Sequence, residues 1–207
     1  MKKMLKFVTV VVSSTLVCAF AFAQAADPKA VVQEINQLRA QRSAEARAAG
    51  KALDIAALNA EIKAKATAAI EGVDVEKVAA SDAYSWALVF QIAERHADVC
   101  RLCERFVASG PKPEEKFAAQ MLMMTSCNVL GEADMLMMTL AATTAPDALA
   151  SQNLARQVLM SYSNTIESKK GIDAALMTIE SVEKKTTFET PDAYADRLFK
   201  ATKDRML

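Results

Sequence analysis

The chain has 207 residues with 25 basic and 25 acidic side chains, one histidine, and five each of glycine and proline. Balanced charge argues against a nucleic-acid surface, and a single histidine leaves little room for a Ser-His-Asp or Cys-His catalytic set. Plentiful Ala, Leu, Met, Glu and Lys, with little β-branched alternation beyond the first 25 residues, predicts an all-α chain.

Residues 1–25 carry Lys2, Lys3 and Lys6, then an apolar run over 7–22, then the small-x-small patterns Ala21-Phe22-Ala23 and Ala23-Gln24-Ala25. That order is expected of a secretory signal peptide that is removed from the mature protein. Val17 before Cys18 is a poor match to lipoprotein processing, and no twin-arginine pair precedes the run, so general export to a periplasm or beyond is expected. Removal leaves 22 basic against 25 acidic residues in about 180 positions, a size suited to one domain or a small repeat array. Nothing after Ala26 reaches the ~20 apolar residues of a membrane-spanning helix.

Asp27-Pro28 reads as an N-cap followed by proline at the first helical position. Val31, Val32, Ile35 and Leu38 keep helical spacing until Gly50. Asp54 caps a second helix, with Ile55, Leu58, Ile62, Ala66 and Ala69 on one stripe, ending at Gly72. Residues 26–72 therefore predict a thin Ala-rich hairpin, or a coiled-coil-like contact with a partner. Residues 73–207 form a second region with a broader apolar face. Val75 and Val78 lead into Tyr84, Trp86, Leu88, Val89 and Ile92, then Val99, Leu102, Phe106 and Val107. Ser109-Gly110-Pro111-Lys112-Pro113 is the clearest break. Helices follow from Glu114 to about Leu130 and from Glu132 to about Thr143. The next is capped by Asp147 and bears Leu149, Leu154, Val158, Leu159, Tyr162 and Ile166. Gly171 opens a helix bearing Ile172, Leu176, Ile179 and Val182, and Thr190-Pro191 starts a last one bearing Tyr194, Leu198 and Phe199.

His96-Ala97-Asp98, Glu132-Ala133-Asp134 and Gly171-Ile172-Asp173 each open a short helix after a longer one. Their aspartates are 36 and 39 residues apart. Two helices per period in the mid-thirties mark helix-turn-helix solenoids. Over residues 74–187 the pattern resembles tetratricopeptide-type repeats, with Gly131 and Gly171 at the small position between paired helices. Tyr84 and Trp86 stand outside that family's W-x2-L-G-x2-Y arrangement. The resemblance implies antiparallel hairpins stacked as an α-solenoid with a binding groove, and it transfers no catalytic residue. The alternative parse makes residues 82–108 one long helix, because Leu88, Ile92, Val99 and Phe106 also hold register across His96.

Cys100, Cys103 and Cys127 remain after leader removal. In an oxidising compartment two of them are expected to pair. If the loop near Pro111 reverses an antiparallel pair, Cys127 lies level with Cys100, while Cys103 sits nearer the loop. A Cys100–Cys127 staple, worth about 2–4 kcal/mol, and a buried Cys103 are the expectation. Cys100-Arg101-Leu102-Cys103 lacks a thioredoxin-like surround, and Glu104 stands where haem attachment needs histidine. A metal reading would join His96, Cys100 and Cys103 at i, i+4 and i+7 with Cys127, and add the soft thioethers of Met124 and Met138 across a turn at Gly131, a set suited to Cu(I). The competing reading makes the methionines core filler. Glu114-Glu115 suit the positive end of a helix, and Lys169-Lys170 and Lys184-Lys185 suit solvated helix ends.

These residues lead us to expect an exported helical-repeat protein that binds a protein or peptide, without cofactor and without membrane insertion of the mature chain. A copper-handling bundle is one alternative. The helical segments also resemble accessory extensions of exported thioredoxin-like systems.

Overall fold

Asp27, Asp54 and Asp147 each cap a helix, their carboxylates accepting from the backbone N–H of Lys29, Ala57 and Ala150 at 3.0, 2.9 and 2.7 Å. These bonds satisfy donors that have no partner inside the helix. The computed structural model describes residues 27–186 and 193–207, so the expected leader, the Thr190-Pro191 start and the Tyr194 side chain lie outside the described residues.

The described residues are all-helical, with no strand among them. In chain order they form α1 (Pro28–Ala48), α2 (Ile55–Ile70), a 3-10 turn (Val75–Lys77), α3 (Ala80–Ile92), α4 (His96–Ala108), α5 (Pro113–Leu130) and α6 (Ala133–Ala142). There follow α7 (Ala148–Gln157), running through a π-turn (Val158–Tyr162) into α8 (Ser163–Lys170), then α9 (Ile172–Lys185) and α10 (Ala193–Met206).

Residues 82–108 are two helices. Glu94 takes φ +59°, the left-handed conformation, and the Arg95 N–H closes onto Phe90 O at 2.9 Å. Gly131 ends α5 the same way at φ +72°, with the Glu132 N–H on Cys127 O at 2.9 Å. Both are left-handed C-terminal caps that use up otherwise orphaned carbonyls. The repeated aspartates Asp98, Asp134 and Asp173 fall in the first turns of α4, α6 and α9, where a carboxylate favours the dipole. The aspartate period therefore marks the entry of the second helix in three successive hairpins.

Each helix packs mainly on its chain neighbours: α3 on α4, α4 on α5, α5 on α6, then α6 on α8 and α8 on α9, with α10 against α9. The Ala-rich α1–α2 pair rests on α3 with both members. Its narrow stripe (Val31, Ile35, Leu58, Ile62) joins the same apolar cluster as Trp86, Leu102, Met124, Ile179 and Phe199. The face that could have met a coiled-coil partner is covered by the chain itself.

Three residues expected on buried stripes face outward: Ile55, Leu149 and Ile172, of which Leu149 is 65 % exposed. All stand in the first turn of their helices. A helical side chain leans toward the N-terminus, so a first-turn residue projects past the end of the packed layer.

Candidate functional site

Two places bring chemically distinctive residues together. The first lies between α4 and α5. The turn that ends α3 starts α4 at His96, which sets Cys100 in the second turn. Cys127 lies in the last turn of α5, just before the Gly131 cap. Antiparallel packing makes those two ends level, and the two sulfurs stand 3.5 Å apart, both buried. Cys100 Sγ also lies 3.9 Å from Met123 O. The hydrogen bond from the Cys127 thiol holds Cys100 below the usual thiol range. The same bond, with burial and the Cys100 charge, pushes Cys127 up. Cys103 is fully buried, and desolvation drives its thiol well above the ordinary range. Cys100 is thus the more acidic thiol of the pair.

His96 faces the same interface, its Nδ1 3.4 Å from Oγ of buried Ser126. Its partner is a hydroxyl, not a carboxylate. Asp98, two residues on, is instead claimed by Arg95 at 2.7 Å and Arg101 at 3.6 Å. The remaining metal candidates are not gathered here. Met124 is fully buried, whereas Met138 is 73 % exposed on α6, so the two thioethers do not face a shared site. Among the described residues no group of three or more His, Cys, Asp and Glu side chains is arranged to hold a metal ion.

The second place is a cavity of about 690 Å3 between α6, the loop that follows it, α7 and α9. Its apolar lining includes Met137, Leu140, Leu154, Met177 and Val182. Lys185 stands at its edge, with Nζ 3.4 Å from the exposed end of α6 at Ala141 O. Three of the threonine hydroxyls there are turned back on their own helices, Thr143 to Thr139 O at 2.7 Å, Thr178 to Ala174 O at 2.8 Å and Thr186 to Val182 O at 2.7 Å. The surface presented is therefore mostly apolar. This volume falls in the ~300–1,000 Å3 range of ligand pockets. A second depression of about 980 Å3, by α2 and the α3–α4 turn, is lined mainly by alanines and charged or hydroxyl side chains such as Lys63, Arg95 and Thr67.

Exposed apolar residues concentrate near the first cavity's half of the chain. Among the described residues nine large apolar side chains are exposed, and all but Ile55 lie beyond Asn128. Met138, Met160, Met177 and Leu149 are among them. Sequence reasoning placed the cysteines together but did not find this cavity. Its walls come from three helices whose stripes each read as ordinary core.

Scans of protein-family models, of curated proteins and of solved structures find no match to the chain.

Proposed function

We propose that this is an exported helical-repeat protein, of tetratricopeptide-like design, that binds a protein or peptide partner in the groove between α6, α7 and α9. The observation that carries this reading is the mostly apolar cavity itself, with the adaptable side chains of Met137 and Met177 in its lining. Methionine is adaptable and polarizable, and surfaces rich in it accept varied apolar side chains. Stacked hairpins bury their cores against neighbours and leave extended faces for binding. Met177 supports the reading doubly, since it lines the cavity and is itself 71 % exposed. A segment with one or two large apolar side chains fits such a lining, which carries one cation, Lys185, and one anion, Asp147.

We read the role as recognition and not turnover, a reading supported by the placement of the paired carboxylates Glu114 and Glu115 in the first turn of α5, where they favour the helix dipole. Export follows from the leader pattern at residues 1–25. The test has two arms. Peptides selected from a random display library on the full chain should lose at least tenfold in affinity to Met177→Glu and keep it with Ile55→Glu. Equal loss in both variants, or no selectable peptide, contradicts the groove. Sequencing of the protein from the periplasmic fraction should begin at Gln24 or Ala26; an intact Met1 there contradicts export.

A further inference from the structure

The sulfurs of Cys100 and Cys127, held 3.5 Å apart between two different hairpins, require only about 1.5 Å of approach to reach the ~2.05 Å of a bond. We propose that Cys100 and Cys127 form a redox staple that locks the first repeat hairpin (α3–α4) to the second (α5–α6), with Cys100 the thiol that exchanges and Cys103 excluded. The proposal rests on the exported reading for its oxidant, a dithiol-disulfide carrier of the export compartment.

The pair sits near helix ends and not mid-helix. Cys127 is in the last turn of α5, and the two residues that follow Asn128 (Val129 and Leu130) are exposed. Such ends open locally at low cost, which admits an oxidant to a pair that is buried on average. Cys100 then attacks one sulfur of the carrier's disulfide as thiolate. The carrier's S–S bond breaks, its leaving sulfur takes up a proton, and a mixed disulfide forms at Cys100. Cys127 loses its proton and attacks Cys100 Sγ, releasing the second carrier thiol. Two electrons leave the protein and reduce one carrier disulfide to two thiols, so the exchange balances.

Geometry assigns the roles. Cys100 is the one of the three nearest the surface, at 5 % exposure against 0 % for Cys103 and Cys127. Cys103 is one turn further along α4, toward the α4–α5 loop and away from the end at which Cys127 stands. The staple would span 27 residues of chain, crossing the loop at Gly110 that otherwise joins the two hairpins. Its effect is on the joint between repeats, the position at which a solenoid bends.

The sequence makes the assignment readable. Trypsin cuts after Arg95, Arg101 and Arg105, so Cys100 and Cys103 part into peptides 96–101 and 102–105, while Cys127 travels in 117–156. The full chain is isolated from its own cells under alkylating conditions and digested without reductant. The expected product is 96–101 joined to 117–156, lighter by two hydrogens, with 102–105 alkylated. Reduction should then lower the melting midpoint by roughly 5–15 °C. Any link that includes 102–105 overturns the proposal. If all three thiols are alkylated, the same reduced chain is exposed to glutathione disulfide. A Cys100–Cys127 link there sustains the staple and places the fault with export, whereas three free thiols overturn it. Cys100→Ser should abolish both the link and the melting shift, and Cys103→Ala should keep both.

Discussion

Arg105 shows how one side chain can fix a junction. From α4 it donates to the carbonyls of Val75 and Val78 at 2.6 and 2.7 Å, closing the 3-10 turn onto α4. Charge-assisted bonds to backbone carbonyls are worth more than neutral ones, so Arg105→Ala should cost about 2–3 kcal/mol in urea unfolding. Glu94 and Gly131 hold the same left-handed cap, one with a Cβ and one without. Gly131→Ala should cost about 1 kcal/mol, because the backbone disfavours a Cβ and that Cβ would meet Lys169 Cε at 3.2 Å. Glu94→Gly should raise the melting midpoint instead, since relief of its backbone outweighs the loss of its exposed ion pair with Lys63. Residue-scale signals of this kind were only partly legible. Asp27, Asp54 and Asp147 announced their caps. Arg105 gave no sign, because its partners are backbone atoms that only the fold brings within reach.

At the scale of elements, Asn128 links the second hairpin to the third. Its amide donates to Ser161 Oγ at 2.9 Å and its carbonyl accepts from Thr165 Oγ1 at 2.7 Å, beside a Thr125–Tyr162 hydroxyl contact at 3.1 Å. These bonds hold the C-terminal end of the π-turn, which widens the helix for one turn, and the first turn of α8. Asn128→Ala leaves two hydroxyls without that partner and should cost about 1–2 kcal/mol, measured by thermal unfolding. In α1 and α2, Arg42 bonds Glu61 through Nε and Nη2 at 3.0 and 2.8 Å, and Glu45 at 2.9 Å. Those bonds lower both carboxyls from 4.5. A depressed carboxyl stabilises above its unfolded value and loses that contribution as pH falls through the folded one. Amide protection factors in α1 and α2, exchange rates taken relative to the unfolded chain at the same pH, should therefore fall below pH 4.5, by a small factor because the pairs are exposed. Helix existence and order were legible in apolar spacing and in the glycine stops, and the aspartate period correctly split residues 82–108. The π-turn was not legible, because Val158, Leu159 and Tyr162 keep a plausible α stripe through it. Ile55, Leu149 and Ile172 misled for a different reason: spacing assigns a face but not whether a neighbour extends far enough to cover it.

Over the whole molecule, one apolar cluster runs from Val31 to Met206, so the Ala-rich pair and the later hairpins share a core. Among the described residues no helix is long and apolar enough to cross a membrane. The nearness of Cys100 to Cys127 was legible from antiparallel bookkeeping alone, since Cys100 lies farther from the Gly110 turn than Cys103 does and so closer in level to Cys127. The groove was not, since Met137, Leu154 and Val182 are each ordinary on their own helix and converge only when three elements stack. Peptide capture in that groove is the central claim. Its most direct measurement is hydrogen–deuterium exchange of the full chain with and without a display-selected peptide. The expected result is added protection confined to residues 137–154 and 176–186. Protection centred on α2 and the α3–α4 turn, or no change at α9, would contradict it.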